Sequence, residues 1–102
     1  MNINSGSALL QDVQPSWWGK YDDIILRLLD DTGAALPPRV VGFNLEYREI
    51  ASPHRSTVKR RLQRLEENGY VEKVGDGGYY MISDNGRKYL RDHFDYGPET
   101  KA

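Results

Sequence analysis

The chain has 102 residues, of which 28% are charged and 38% hydrophobic, with no cysteine and a formal net charge of -1. That length points to one domain with a small core, for which pairing with a second copy is a natural way to bury more surface. The lack of cysteine removes disulfides and disfavours a zinc site, as in a cytoplasmic protein, and the short apolar runs disfavour a membrane span or secretory signal.

The near-neutral total conceals an uneven distribution. Residues 1–35 hold two basic residues (Lys20, Arg27) and five acidic ones (Asp12, Asp22, Asp23, Asp30, Asp31). Residues 53–65 hold five basic residues (Arg55, Lys59, Arg60, Arg61, Arg64) and no acidic one. A basic stripe on an otherwise acidic chain aims its field at one face, and phosphate responds to that local field.

In chain order, residues 1–16 are polar and without sustained period, and read as a flexible N-terminal arm in which Ala8-Leu9-Leu10 is an apolar group able to dock. A single domain is expected over 17–96, followed by a flexible tail at 97–102. From Lys20 to Asp31 the apolar positions Tyr21, Ile24, Ile25, Leu28 and Leu29 share one helical face, and Asp22 and Asp23 suit its first turn. Gly33 reads as the stop, and Ala34-Ala35-Leu36 as a short link able to pair as an edge strand. Pro37-Pro38 opens a second helix through about Leu45, with Pro38 near the first helical position. Its inward residues are Val41 (or Val40) and Leu45, with Gly42 allowing close helix packing.

After a connection over 46–52, Ser52 reads as an N-cap and Pro53 as the first residue of a third helix that runs to Asn68 and stops at Gly69. Val58, Leu62 and Leu65 form its narrow apolar face. Strands at Tyr70–Val74 and Tyr79–Ile82 flank Gly75-Asp76-Gly77-Gly78, whose glycines suit a tight hairpin. Ser83-Asp84 caps a last helix through about Phe94, with Tyr89, Leu90 and Phe94 inward. Helix, link, helix, helix, hairpin, helix is the order of an α+β winged helix-turn-helix domain, with a three-helix core, a two-stranded wing and a C-terminal helix.

With Val58, Leu62 and Leu65 inward, Ser56, Arg60 and Gln63 point most directly outward at 100° per residue. Thr57, Lys59 and Arg64 flank them, while Arg55 and Arg61 fall nearer the core boundary. Guanidinium, amide and hydroxyl groups in that mix suit readout of base edges and phosphates of duplex DNA. His54, in the first turn, is placed to touch phosphate. The competing explanation is a solvated helix face whose arginines pair with Glu66 and Glu67; the hairpin directly behind it favours DNA. The hairpin tip carries Asp76 and no Lys or Arg, so the wing is expected to be mainly structural, with Lys73 alone able to meet phosphate.

Trp17-Trp18 reads first as a staple fixing the arm to the domain, and second as part of a homodimer patch with Leu90 and Phe94. Tyr47, Tyr70, Tyr79, Tyr80, Tyr89 and Tyr96 are assigned to core and hairpin packing. His54 and His93 lie too far apart to suggest a metal site. Neighbouring Asp22 and Asp23 diverge on a helix and cannot cooperate as acid and base. Gly75-Asp76-Gly77-Gly78 lacks the lysine and following helix of a phosphate loop, so neither an enzyme nor a cofactor is indicated.

The run from Thr57 to Val74 resembles the recognition-helix-to-wing segment of many prokaryotic winged-helix regulators. Trp17, Asp22-Asp23 with the aliphatic run to Leu29, and Asn44-Leu45-Glu46-Tyr47-Arg48 are similar to archaeal phage phiH repressor-like proteins. Ser83-Asp84-Asn85-Gly86 resembles that group's threonine-aspartate-x-glycine helix start, with serine in the threonine place. The resemblance spans about residues 17–90 and implies a cytoplasmic DNA-binding transcriptional regulator, often dimeric. It would place DNA contacts on Arg55, Ser56, Thr57, Lys59, Arg60 and Arg64. Two departures stand out: a long Leu45–Pro53 connection and a wing tip without a base. Both suit the alternative of a winged-helix protein-interaction module.

Overall fold

The structure is a computed structural model that describes residues 14–94. The expected arm up to Val13, the tail and Tyr96 lie outside the described residues. Within them the elements are α1 (Asp22–Thr32), α2 (Pro38–Tyr47), α3 (Arg55–Glu67), β1 (Val71–Val74), β2 (Tyr79–Ile82) and α4 (Asp84–His93). One core joins them all. Ile25, Leu26 and Leu29 of α1 meet Val41 and Leu45 of α2, Val58, Leu62 and Leu65 of α3, Val71 and Ile82 of the hairpin, and Leu90 of α4. Helix α1 touches α2, α3, β2 and α4, so it is buried on more than one side. Leu26, outside the predicted stripe, is therefore fully buried, whereas Tyr21 and Ile24 are only partly so.

The helix ends explain most of the boundaries. Gly33 (φ +63°) closes α1, and its N–H bonds to the Leu29 carbonyl. Pro38 is the first residue of α2, as expected, but that helix continues two residues past Leu45 to Tyr47. Gly42 does not mark a forced approach: a Cβ there would sit 3.7 Å from the Val58 side chain, an ordinary contact. Helix α3 starts later than Ser52-Pro53 suggests. His54 is the N-cap, its Nδ1 accepting the Ser56 N–H at 3.1 Å, which fixes Arg55 as the first helical residue. The connection over 48–54 is long, as the sequence indicates, and the Ile50 and Ala51 N–H groups both bond the Leu45 carbonyl.

Strands β1 and β2 pair antiparallel, with Val71 opposite Ile82 and Val74 opposite Tyr79. Tyr70 stays outside the strand because its N–H closes the α3 exit on the Leu65 carbonyl. Leu36 adds an antiparallel bridge to Tyr80, through reciprocal N–H···O bonds of 2.8 and 2.9 Å, which accounts for the edge pairing expected of the link. Ser83 then caps α4: its Oγ accepts the Gly86 N–H and donates to the Gly69 carbonyl. A Cβ at Gly86 would run into the Tyr70 carbonyl oxygen and the Ile82 side chain, so this turn of α4 needs glycine.

Trp17 and Trp18 both pack against the domain. Trp18 packs on Tyr89 (4.6 Å between centroids) and Tyr70 (5.2 Å), and Trp17 lies 5.2 Å from Trp18. The Trp18 Nε1–H and the Tyr89 hydroxyl both donate to Asp23 Oδ1, while Gln14 Nε2 donates to the same hydroxyl. Leu90 is wholly buried in its own chain, which leaves none of it for a second copy, and Phe94 packs against the core under Arg27. Tyr70, Tyr80 and Tyr89 fulfil the packing role expected of them, but Tyr47 and Tyr79 are exposed. Burial, and then the bond to Asp23, raise the Tyr89 hydroxyl pKa well above the ordinary tyrosine range. A raised folded pKa gives stability that is full below about pH 10 and fades as pH climbs from there toward the folded value. Tyr89→Phe is expected to cost roughly 1 kcal/mol at neutral pH. It should also lose stability less steeply than wild type above pH 10, measured by urea denaturation at stepped pH.

Candidate nucleic-acid interface

Helix α3 turns Val58, Leu62 and Leu65 into the core, and the rest of its surface follows from that. Ser56, Lys59, Arg60, Gln63 and Arg64 are exposed, as the wheel predicts, and Thr57 is half-buried on their flank. Arg55 departs from expectation. It is the first helical residue instead of the third, and it is exposed instead of bordering the core. His54 sits just before the helix, exposed, with its Nδ1 engaged by the Ser56 N–H and close to the Ser56 hydroxyl. Its Nε2 edge is the part left for another group.

Arg61 is the helix's one inward cation. Its Nε donates to Asp22 Oδ1 at 2.9 Å and its Nη2 to Asp22 Oδ2 at 2.7 Å, a bidentate pair. Nη2 also donates to the Trp17 carbonyl at 2.8 Å, and the Gly19 N–H donates to Asp22 Oδ2. Asp22 is fully buried and the Arg61 side chain is 16% exposed. The bond to Asp22, working against burial, raises the Arg61 guanidinium above its already high pKa. No local pattern in the sequence links Asp22 to Arg61, although the helical wheel sets Arg61 near the core boundary. As expected of neighbours on a helix, Asp22 and Asp23 diverge: one takes Arg61, the other Trp18 and Tyr89.

Four of the five cations of the basic stretch therefore remain on the outside. Among the described residues, no carboxylate lies within ion-pair distance of Arg55, Lys59 or Arg60. Arg64 approaches Glu67 at 3.9 Å, both half-exposed or more, and its guanidinium lies 5.5 Å from the Trp17 ring centroid. Arg60, Gln63 and Arg64 line a shallow depression together with Arg61 and Glu67. The result is a solvent-facing ridge of guanidinium, ammonium, amide and hydroxyl groups on one rigid helix, which can donate to phosphate oxygens and to the acceptor edges of bases.

The wing adds little charge. Lys73 is exposed on β1, and the tip residues Gly75-Asp76-Gly77-Gly78 carry no base. Among the described residues, no cluster of three potential ligands is placed to hold a metal ion, and no helix is long and apolar enough to cross a membrane.

No protein-family model and no curated protein matches the chain. A solved structure does: the crystal structure of the PhiH1 repressor-like protein from Haloarcula marismortui, 28% identical, with a TM-score of 0.65. The match covers 80% of this chain and 86% of that one. By its element order, its shared fold and its distant sequence similarity, the chain is a winged helix-turn-helix protein similar to a PhiH1 repressor-like protein.

Proposed function

We propose that this protein is a cytoplasmic, sequence-specific duplex DNA-binding regulator of the repressor-like type, reading the major groove with α3. The observation that carries this reading is the outward face of α3. Arg55, Lys59 and Arg60 stand without carboxylate partners among the described residues, with Ser56 and Gln63 interleaved, while Arg61 is committed to the interior. A helix stabilised for its own sake would pair its outward cations with neighbouring carboxylates. The repressor-like structural neighbour fits the same reading. Base readout falls to Ser56, Arg60 and Gln63, and phosphate contact to His54, Arg55, Thr57, Lys59 and Arg64. Because the wing tip lacks a base, one copy grips little more than one groove segment. A homodimer on a near-palindrome is the arrangement that supplies a second helix.

Selection from a random duplex library at physiological salt tests the proposal. A defined motif is expected, with affinity that falls steeply as salt rises, because several phosphates are neutralised. Weak binding to every duplex, unchanged by replacing Arg60 and Arg64 with alanine together, would rule it out. Light scattering of the complex decides between one copy and two.

A protein-interaction module is the second reading, and the exposed Phe43 and Tyr47 favour it. They stack 5.6 Å apart on the solvent side of α2, at 62% and 75% exposure. A stable protein partner lost on Phe43→Ser with Tyr47→Ser, in a protein that selects no duplex motif, would support it.

A further inference from the structure

Trp17 lies before α1, outside the helix that carries the outward cations, yet two arginines of α3 meet its ring. The Arg61 guanidinium is 5.8 Å and the Arg64 guanidinium 5.5 Å from the ring centroid, both inside the roughly 6 Å reach of a cation–π contact. The ring itself is well held. Its carbonyl accepts from Arg61 Nη2, and the ring packs against Trp18 at 5.2 Å and Tyr70 at 6.2 Å.

The two arginines differ in what else holds them. Arg61 is fixed by two bonds to buried Asp22 and needs nothing from the ring. Among the described residues Arg64 has, besides the ring, an open ion pair to Glu67 at 3.9 Å, a contact of little worth in water. The Trp17 ring is thus the firmest neighbour of a guanidinium that also borders Arg60 and Gln63 on the outward ridge. A free arginine side chain has many rotamers, most of which are lost when it clamps a phosphate. A ring that narrows them beforehand lowers that cost.

We propose that Trp17 is a positioning residue for DNA binding, holding the Arg64 guanidinium in the orientation in which it clamps a backbone phosphate. This rests on the DNA-binding reading above, and it makes the N-terminal segment part of the recognition apparatus instead of mere packing. Trp17 touches no DNA in this scheme; it acts through Arg64.

The test is a binding cycle on the duplex selected from the library, with wild type, Trp17→Leu, Arg64→Ala and the double variant. Arg64→Ala should weaken binding. Trp17→Leu should weaken it by about two- to fivefold when Arg64 is present, the range of a partly exposed cation–π contact, and by almost nothing when Arg64 is absent. Trp17→Phe, which keeps a ring, should recover part of the loss, and it carries the cycle if Trp17→Leu does not fold. A readout independent of DNA is the NMR resonance of the Arg64 Nε–H, displaced by the ring current in wild type and released in Trp17→Leu. An equal loss from Trp17→Leu with and without Arg64, or an Arg64 resonance indifferent to the ring, would overturn the proposal while leaving the DNA reading intact. A wild-type protein that selects no duplex would overturn both.

Discussion

Arg61→Ala should be the most damaging loss of a cation from the basic helix, costing about 3–5 kcal/mol of folding stability, because it leaves the Asp22 carboxylate buried and unpaired. Asp22 has no exposed surface, and among the described residues Arg61 supplies two of the three hydrogen bonds its carboxylate accepts. The substitution also strips a donor from the Trp17 carbonyl, so the segment before α1 loosens with it. For a small domain, a loss of that size is a large part of the whole stability, and chemical denaturation measures it directly. The contrasting control is the paired change Asp22→Leu with Arg61→Met. Replacing both charges with apolar groups should recover much of the loss. Recovery will be incomplete, since the Gly19 N–H and the Trp17 carbonyl keep no partner. A single Arg61→Ala variant as stable as wild type would mean that the buried pair contributes nothing.

Its neighbour Arg60 is expected to behave in the opposite way. Arg60→Ala should leave stability within about 0.5 kcal/mol of wild type, as for an exposed side chain that has no ion-pair partner among the described residues. Affinity for the selected duplex should drop by about 1–3 kcal/mol if Arg60 makes a bidentate base contact, and preference at one base pair should relax. Lys59→Ala provides the comparison. A phosphate contact there predicts uniform weakening across sequences and a salt slope shallower by about one. Equal loss on all sequences for Arg60→Ala would move that residue from base readout to phosphate contact. Two adjacent arginines, one holding the fold and one facing outward, thus separate on two measurements, stability and selectivity.

That separation was only half legible in the sequence. The period of Val58, Leu62 and Leu65 fixes which side of α3 is inward, so the exposed stripe of Ser56, Arg60 and Gln63 follows by rotation alone. The hairpin and the α4 cap were equally legible, because glycines at left-handed turn positions and a serine ahead of a helix have strong local causes. The Asp22–Arg61 pair joins residues 39 positions apart, and no local rule proposes that partner. A hint was present. Asp22 stands three, four and seven residues before Ile25, Leu26 and Leu29, and a carboxylate on an apolar stripe needs a cation to be buried. Arg61, at the edge of the α3 apolar face, was the matching charge. The α3 start was misplaced because Ser52-Pro53 carries the stronger statistical signal, while histidine caps a helix only when its ring can turn Nδ1 toward the backbone, as His54 does. Tyr47 and Tyr79 are exposed where packing is expected, because tyrosine's polar tip lets it sit at either depth.

The bridge between Leu36 and Tyr80 also bears on what the hairpin can do in a crowded solution. It occupies the outer side of β2 at Tyr80, near the hairpin tip, while β1 keeps an open hydrogen-bonding edge. That edge is four residues long and carries Glu72 and Lys73, both exposed. A short rim with a charge of each sign is a poor template for strand addition by another chain. The hairpin can therefore project from the domain with little tendency to recruit copies of itself into sheets.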